Sequence, residues 1–360
     1  MPPPRGHGQR LLVLVVAGAC VLLLVVPLAG LVATAAADGA AVYRVLTSPG
    51  LGEAVLNTVV LAVVVTLLAV PAGVAVALAL RRPDLPARRV LQVAVLLPVL
   101  VPQFVLGYSW RQAYGPGGFT DAALGVQVPG LLGAPGVVLV LAVNAVPVTY
   151  LVTAVGLAAR AEPNLERAAR ASGAGPLTAL RTVTLPLLRP SVVAASVLVF
   201  VLTLESFAVP QVLGTPGGFT TVTTRIYANL SLGSDPFAFV EAVVLALLLV
   251  VFAGLVIAPA DALLAPRLRS PRVADSGGAA AVTVRRSTSR WAAATLGGFV
   301  LAAVGLPLLA LVAASVTRAV GLPPTPRNWT LDHFSVVLDE RTVDAVGLSL
   351  TLAVAAATLL

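Results

Sequence analysis

The sequence predicts an all-α, polytopic membrane helix bundle, and three observations lead to it. Of the 360 residues, 58% are hydrophobic and 11% charged, where a soluble domain carries about 25% charged residues. The mean hydropathy is +0.99. The apolar residues gather into runs of bilayer-spanning length, about 20 residues each. The arginines fall in alternate gaps between those runs, as positive-inside topology requires.

Seven runs are long enough to span: Leu11–Ala36, Leu56–Leu80, Val90–Trp110, Gly136–Ala158, Ser191–Gly214, Phe237–Leu264 and Trp291–Val316. An eighth begins near Val346 and continues to Leu360. Run 1 follows Arg5 and Arg10, but its apolar stretch far exceeds the roughly 7–15 residues of a secretory signal. It reads as a retained helix. Pro98 and Pro102 in run 3, Pro147 in run 4 and Pro210 in run 5 are expected to kink their helices. Such breaks are tolerated at membrane depth where they are buried in protein or line a cavity.

Topology follows from the arginines. The tail (residues 1–10) and the gaps after runs 2, 4 and 6 hold 2, 4, 5 and 6 of them, 17 of the 23. The other gaps hold Arg44, Arg111, Arg225, Arg318, Arg327 and Arg341. The N-terminus is therefore expected in the cytoplasm. A nucleic-acid surface would not alternate in this way, so the net charge of +8 does not point to nucleic acid.

Composition excludes other classes. Lysine is absent, so the Gly-Lys-Ser/Thr phosphate loop of a P-loop ATPase has no counterpart here. Cys20 is the only cysteine, and the two histidines, His7 and His333, have no ligand partner at helical spacing. A disulfide framework and a cysteine metal site are excluded, and the isolated histidines argue against metal catalysis. No catalytic residue and no cofactor is assigned to the chain. The outward loops Tyr114–Pro135 and Thr215–Pro236, rich in Gly, Pro, Thr and Ser, read as turns suited to a docking partner.

The gap between runs 4 and 5 carries PNLERAARASGAGPLTALRTVTLPLLRP (Pro163–Pro190). Leu165, Ala168, Ala169 and Ser172 lie at i, i+3, i+4 and i+7, one small, mostly apolar helix face. Gly173 permits a positive φ, and Pro176 stops simple continuation of the helix. The segment resembles the cytoplasmic EAA loop of permease subunits in binding-protein-dependent ABC importers. Ala168 and Ala169 stand for the two alanines, Gly173 for the glycine, and Leu185-Pro186 for the closing pair. Arg167 occupies the family's glutamate position and Glu166 sits one residue earlier, about 100° around a helix.

In run 5, Phe200-Val-Leu-Thr-Leu-Glu205-Ser-Phe-Ala-Val-Pro-Gln-Val-Leu-Gly214, followed by Thr223-Thr-Arg-Ile-Tyr, is similar to iron(III)-type permeases. That group includes fused double permeases, and the pattern here restarts past a polar linker at 266–290. Tyr43–Leu46 and Asn57 find counterparts in His333–Leu338 and Ser349 at an offset of about 292. The domain expectation is a first six-helix unit at 11–265 with a coupling loop at 159–190, and a second unit starting at 291. A second unit of equal length would bring the chain to roughly 550 residues, so 360 reads as a truncation.

The resemblance implies the type I ABC importer permease fold in a bacterial plasma membrane. It implies a dimer of ATP-binding subunits docking on Glu166, Arg167, Ala168, Ala169, Gly173, Leu185 and Pro186, with ATP and Mg used by that partner. A periplasmic or lipid-anchored binding protein would deliver the solute. The cargo implied is iron(III), with thiamine, polyamine or phosphonate as alternatives. Glu205, in an apolar run, costs a few kcal/mol at mid-bilayer unless it meets water or a partner. With Pro210 it is the candidate for the translocation path, helix packing being the structural alternative. Glu241 and Asp261 read as interfacial. An ATP-independent secondary transporter is the rival class, but paired acids on broken helices are wanting. A membrane enzyme lacks its Asp-rich, His or Ser/His/acid sets.

Overall fold

The computed structural model describes residues 7–82, 84–160, 163–233, 236–268, 286–319, 321–322 and 325–359. Residues 1–6 of the expected tail, Glu162, residues 269–285 of the expected linker and the side chain of Asp261 lie outside the described residues. Among those described, regular structure is helical apart from one β-bridge, Thr317 to Trp329.

Helix α1 (His7–Ala37) turns through 91° into α2 (Gly39–Leu46), which Asp38 caps by accepting from the Ala41 N–H at 2.8 Å. Helix α3 (Leu51–Leu80) is a continuous second span with Pro71 inside it. The third run is broken at one of the two prolines expected to kink it: α4 (Arg88–Leu100) is followed by α5 (Gln103–Tyr114), and the stretch Gln103–Leu124 lies at 104° to α4. Pro102 is the cause, because the residue before a proline is driven out of the helical region. Val101 accordingly sits at φ −86°, ψ 123°. The following loop folds a short α6 (Phe119–Leu124) before α7 (Ala134–Arg160).

Next come α8 (Pro163–Ala171), α9 (Pro176–Ala179), a π-helical turn (Leu180–Thr184) and α10 (Leu185–Leu204). The fifth span is thus one unit from Pro176 to Leu204. It starts earlier than run 5, the turn Leu180–Thr184 widening to accommodate Pro186 where a regular turn would clash, and it ends earlier, ahead of Pro210. Helix α11 (Val222–Leu232) occupies the outward stretch read as turns, and α12 (Pro236–Leu268) runs into the expected linker. Helix α13 (Arg286–Val300), a second π-turn (Leu301–Gly305) and α14 (Leu306–Ser315) form the seventh span. Helices α15 (Asp332–Val337) and α16 (Glu340–Leu359) follow. Among the described residues six helices are long and apolar enough to cross a membrane, or eight if each bent pair is one span.

The core lies where α3, α7 and α10 pack together, with Leu61, Val65, Val140 and Val199 almost fully buried. Side-chain size sets that approach. A Cβ at Gly73 would run into the Thr149 side chain and the Val146 carbonyl, so α3 and α7 cross at backbone distance, as small-residue membrane contacts allow. A second cluster, with Leu80, Leu91, Tyr150 and Leu188, continues the core toward the arginine-rich side.

Candidate functional site

Two constellations stand out, one at each end of the α3–α7–α10 core. The first is the loop between α7 and α9. Helix α8 ends in a Schellman motif: Ala174 N–H donates to Ala169 O and Gly173 N–H to Arg170 O, both at 3.0 Å. Gly173 has φ +87°, the left-handed position that glycine takes without a Cβ penalty. Gly175 is extended and Pro176 starts α9, where its missing N–H costs nothing. The result is a short helix, a tight turn and a restart.

The predicted face is largely open. Leu165 is 44% exposed, Ala168, Ser172 and Gly173 are exposed, and Ala169 is half-buried. Glu166 turns inward, its Oε2 lying 3.7 Å from Arg81 Nη2 at the end of α3. The one-residue displacement of the carboxylate therefore ties α8 to the second span. Arg167 has its backbone in α8, and its side chain lies outside the described residues. Leu185 and Pro186 begin α10, with Leu185 packed against the core. They anchor the fifth span rather than the exposed helix.

The second constellation is formed where the chain breaks twice. Gln103 is exposed at the break between α4 and α5, and Ser206 is buried at the break between α10 and the following turn. Ser206 Oγ donates to Gln103 Oε1 at 3.2 Å. Phe104 meets Phe207 edge-on at 5.5 Å, and Phe207 meets Tyr227 at 4.8 Å. Pro210 has no N–H for the carbonyl four residues back, and Thr223 Oγ1 donates to that Ser206 O at 2.8 Å. Thr221 and Thr224 close a capping box on α11. Asn57 Nδ2 donates to Thr220 O, and Val222 N–H to Thr58 Oγ1, both at 2.9 Å. The Thr-rich block thus knits α3, α10 and α11 together.

Glu205 follows the last residue of α10 and is exposed beside this cluster, while Pro210 is buried. Sequence reasoning missed Gln103, Ser206 and Thr223, and it read Glu241 as interfacial. Glu241 is 8% exposed. Its Oε1 accepts from Arg225 Nε at 2.6 Å, while Arg225 also donates to Pro49 O and Ser48 Oγ. The available signal was an arginine on the arginine-poor side sixteen residues before an acid in an apolar run. No group of three or more His, Cys, Asp or Glu side chains able to hold a metal occurs among the described residues.

A multi-pass helix bundle with broken spans and an exposed helix–turn element between two of them defines a membrane transport subunit. The family model described as "Binding-protein-dependent transport system inner membrane component" matches residues 69–270, and the chain belongs to that family: it is an ABC importer inner-membrane permease. The molybdenum transport system permease protein ModB of Mycobacterium tuberculosis is 38% identical over 222 residues, 60% of this chain and 80% of that protein. The putative ferric transport system permease protein FbpB 1 of Haemophilus influenzae is 25% identical over 191 residues, 52% of this chain and 30% of that one. A solved bacterial ABC transporter involved in import of the acidic polysaccharide alginate shares the fold, with TM-score 0.62 and 18% identity over 72% of this chain and 96% of that chain.

Proposed function

We propose that this permease passes a small inorganic solute, a molybdenum oxyanion, from an extracytoplasmic binding protein to the cytoplasm, driven by a separate ATPase dimer. The observation that carries the cargo is the 38% identity to a molybdenum permease across 80% of that protein. Iron(III) is the second reading, favoured by the Glu205–Gly214 and Thr223–Tyr227 motifs and by the 25% identity to the ferric relative. The test is titration of the cognate binding protein with molybdate, tungstate and ferric citrate. Tight molybdate binding is expected. Selective ferric binding overturns the cargo and leaves the machinery standing.

In this reading the N-terminus and α8 face the cytoplasm, and the exposed Leu165–Ala168–Ser172 face enters a cleft on the ATPase. ATP and Mg belong to that partner. The paired breaks at Gln103 and Ser206 form part of the path, with Glu205 at its edge and Pro210 shaping the turn behind it. Closure of the ATPase dimer biases a two-state equilibrium between outward- and inward-facing arrangements.

We further infer that residues 286–359 open a second permease unit. Pro27, Leu28, Leu31, Val32 and Ala33 of α1 recur 280 positions later as Pro307, Leu308, Leu311, Val312 and Ala313 of α14. Internal repetition of this kind marks duplicated transporter halves.

A further inference from the structure

Pro307 lies inside the seventh span and has no N–H for the carbonyl four residues back, that of Ala303. The span widens there into the π-turn Leu301–Gly305, in which Leu306 N–H reaches Leu301 O. Another helix supplies the missing donor. Trp110 Nε1 donates to Ala303 O at 3.0 Å, and Tyr114 Oη donates to the neighbouring Ala302 O at 2.6 Å. The two aromatics are one turn apart on α5 with ring centroids 5.1 Å apart, and Trp110 is buried.

The other end of α5 is Gln103, the residue that accepts from Ser206 at the paired breaks. Helix α5 is therefore held at its outer end by the seventh span and at its inner end by the break in the fifth. We propose that Trp110 and Tyr114 are positioning residues: they key α5 to the proline-opened turn of the seventh span and thereby set the Gln103–Ser206 contact. The proposal deepens the path reading above and rests on it for its bearing on transport. Their side-chain hydrogen bonds go to the seventh span, so their hold on the Gln103–Ser206 contact runs through α5.

The experiment uses the full chain in membranes, with Cys20→Ala and the cysteine pair Gln103→Cys and Ser206→Cys, and reads the rate of oxidative crosslinking. Replacing both donors, by Trp110→Phe and Tyr114→Phe, keeps the rings and is expected to slow crosslinking about tenfold, roughly threefold per hydrogen bond in a membrane interior. Pro307→Ala returns a donor to Ala303 O within its own helix and is expected to mimic Trp110→Phe. Combining those two is expected to add nothing, the mark of a shared interaction. Unchanged crosslinking in all variants overturns the keying. If Trp110→Phe fails to insert, Tyr114→Phe and Pro307→Ala carry the same test with the indole in place. Slowed crosslinking with normal uptake keeps the keying and removes the path reading; unchanged crosslinking with uptake slowed by Glu205→Gln does the reverse.

Discussion

Gly173 holds φ +87° at the C′ position of α8, where most L-residues cost roughly 1–2 kcal/mol and Asp or Asn less. A carboxylate there also adds charge to a surface assigned to a partner. Gly173→Asp is expected to abolish uptake while membrane abundance, read by immunoblot, stays normal. Normal transport by that variant would remove the coupling assignment. The Arg225–Glu241 pair behaves differently, because both side chains are mostly buried, 22% and 10% exposed. Removing one partner strands a charge, at about 3–5 kcal/mol for a well-buried pair, somewhat less here given the residual exposure. Arg225→Ala and Glu241→Ala are expected to lower the melting temperature in detergent, and an unchanged melting curve for either would show the pair to be incidental. Glu205 is exposed, so Glu205→Gln is expected to leave melting alone and to slow uptake if the carboxylate edges the path. Wild-type uptake would dispose of that role.

At the scale of elements, proline decides where these spans break and what touches the breaks. Pro102, Pro210 and Pro307 each stand at an irregular turn. For the last two the carbonyl four residues back is satisfied from a neighbouring helix, by Thr223 and Trp110. The break at Val101 was legible because a proline follows it directly. The end of α10 was not, since Glu205–Val209 carries no glycine or proline and Pro210 acts from five residues away. The early start of the fifth span was hidden for a related reason. Arg181 and Arg189 made Pro176–Pro190 look like loop, while the helix simply passes through them. In α8 the positive-φ turn and the open face could be read from Gly173 and the i, i+3, i+7 spacing. The inward turn of Glu166 could not, because it depends on where α3 ends. The contact of α3 with α7 gives a further test. Gly73→Val places two methyl groups against Thr149, and overpacking of this kind costs about 1–3 kcal/mol. A reduced yield of folded, detergent-stable protein is expected.

For the whole molecule, the sequence foretold the class because hydropathy and arginine placement are averages that need no contacts. The sites needed contacts between distant residues, such as Gln103 with Ser206, and no periodicity announces those. Orientation is testable at this scale. Reporter fusions at Arg82 and at residue 173 are expected to read cytoplasmic and a fusion at Gly125 to read external; the opposite pattern would invert the assignment of α8 to the ATPase side.

Helix α3 is fastened at both extremities, by Arg81 to Glu166 of α8 at one and by Asn57 and Thr58 to residues 220–222 at the other. Thirty residues of unbroken helix make a strut of about 45 Å, stiffened along its middle by the packed core. If the proposed ATPase docks on α8, its stroke has a mechanical route along this strut to the far rim, and spin labels placed near Thr220 are then expected to report nucleotide state from the opposite end of the span.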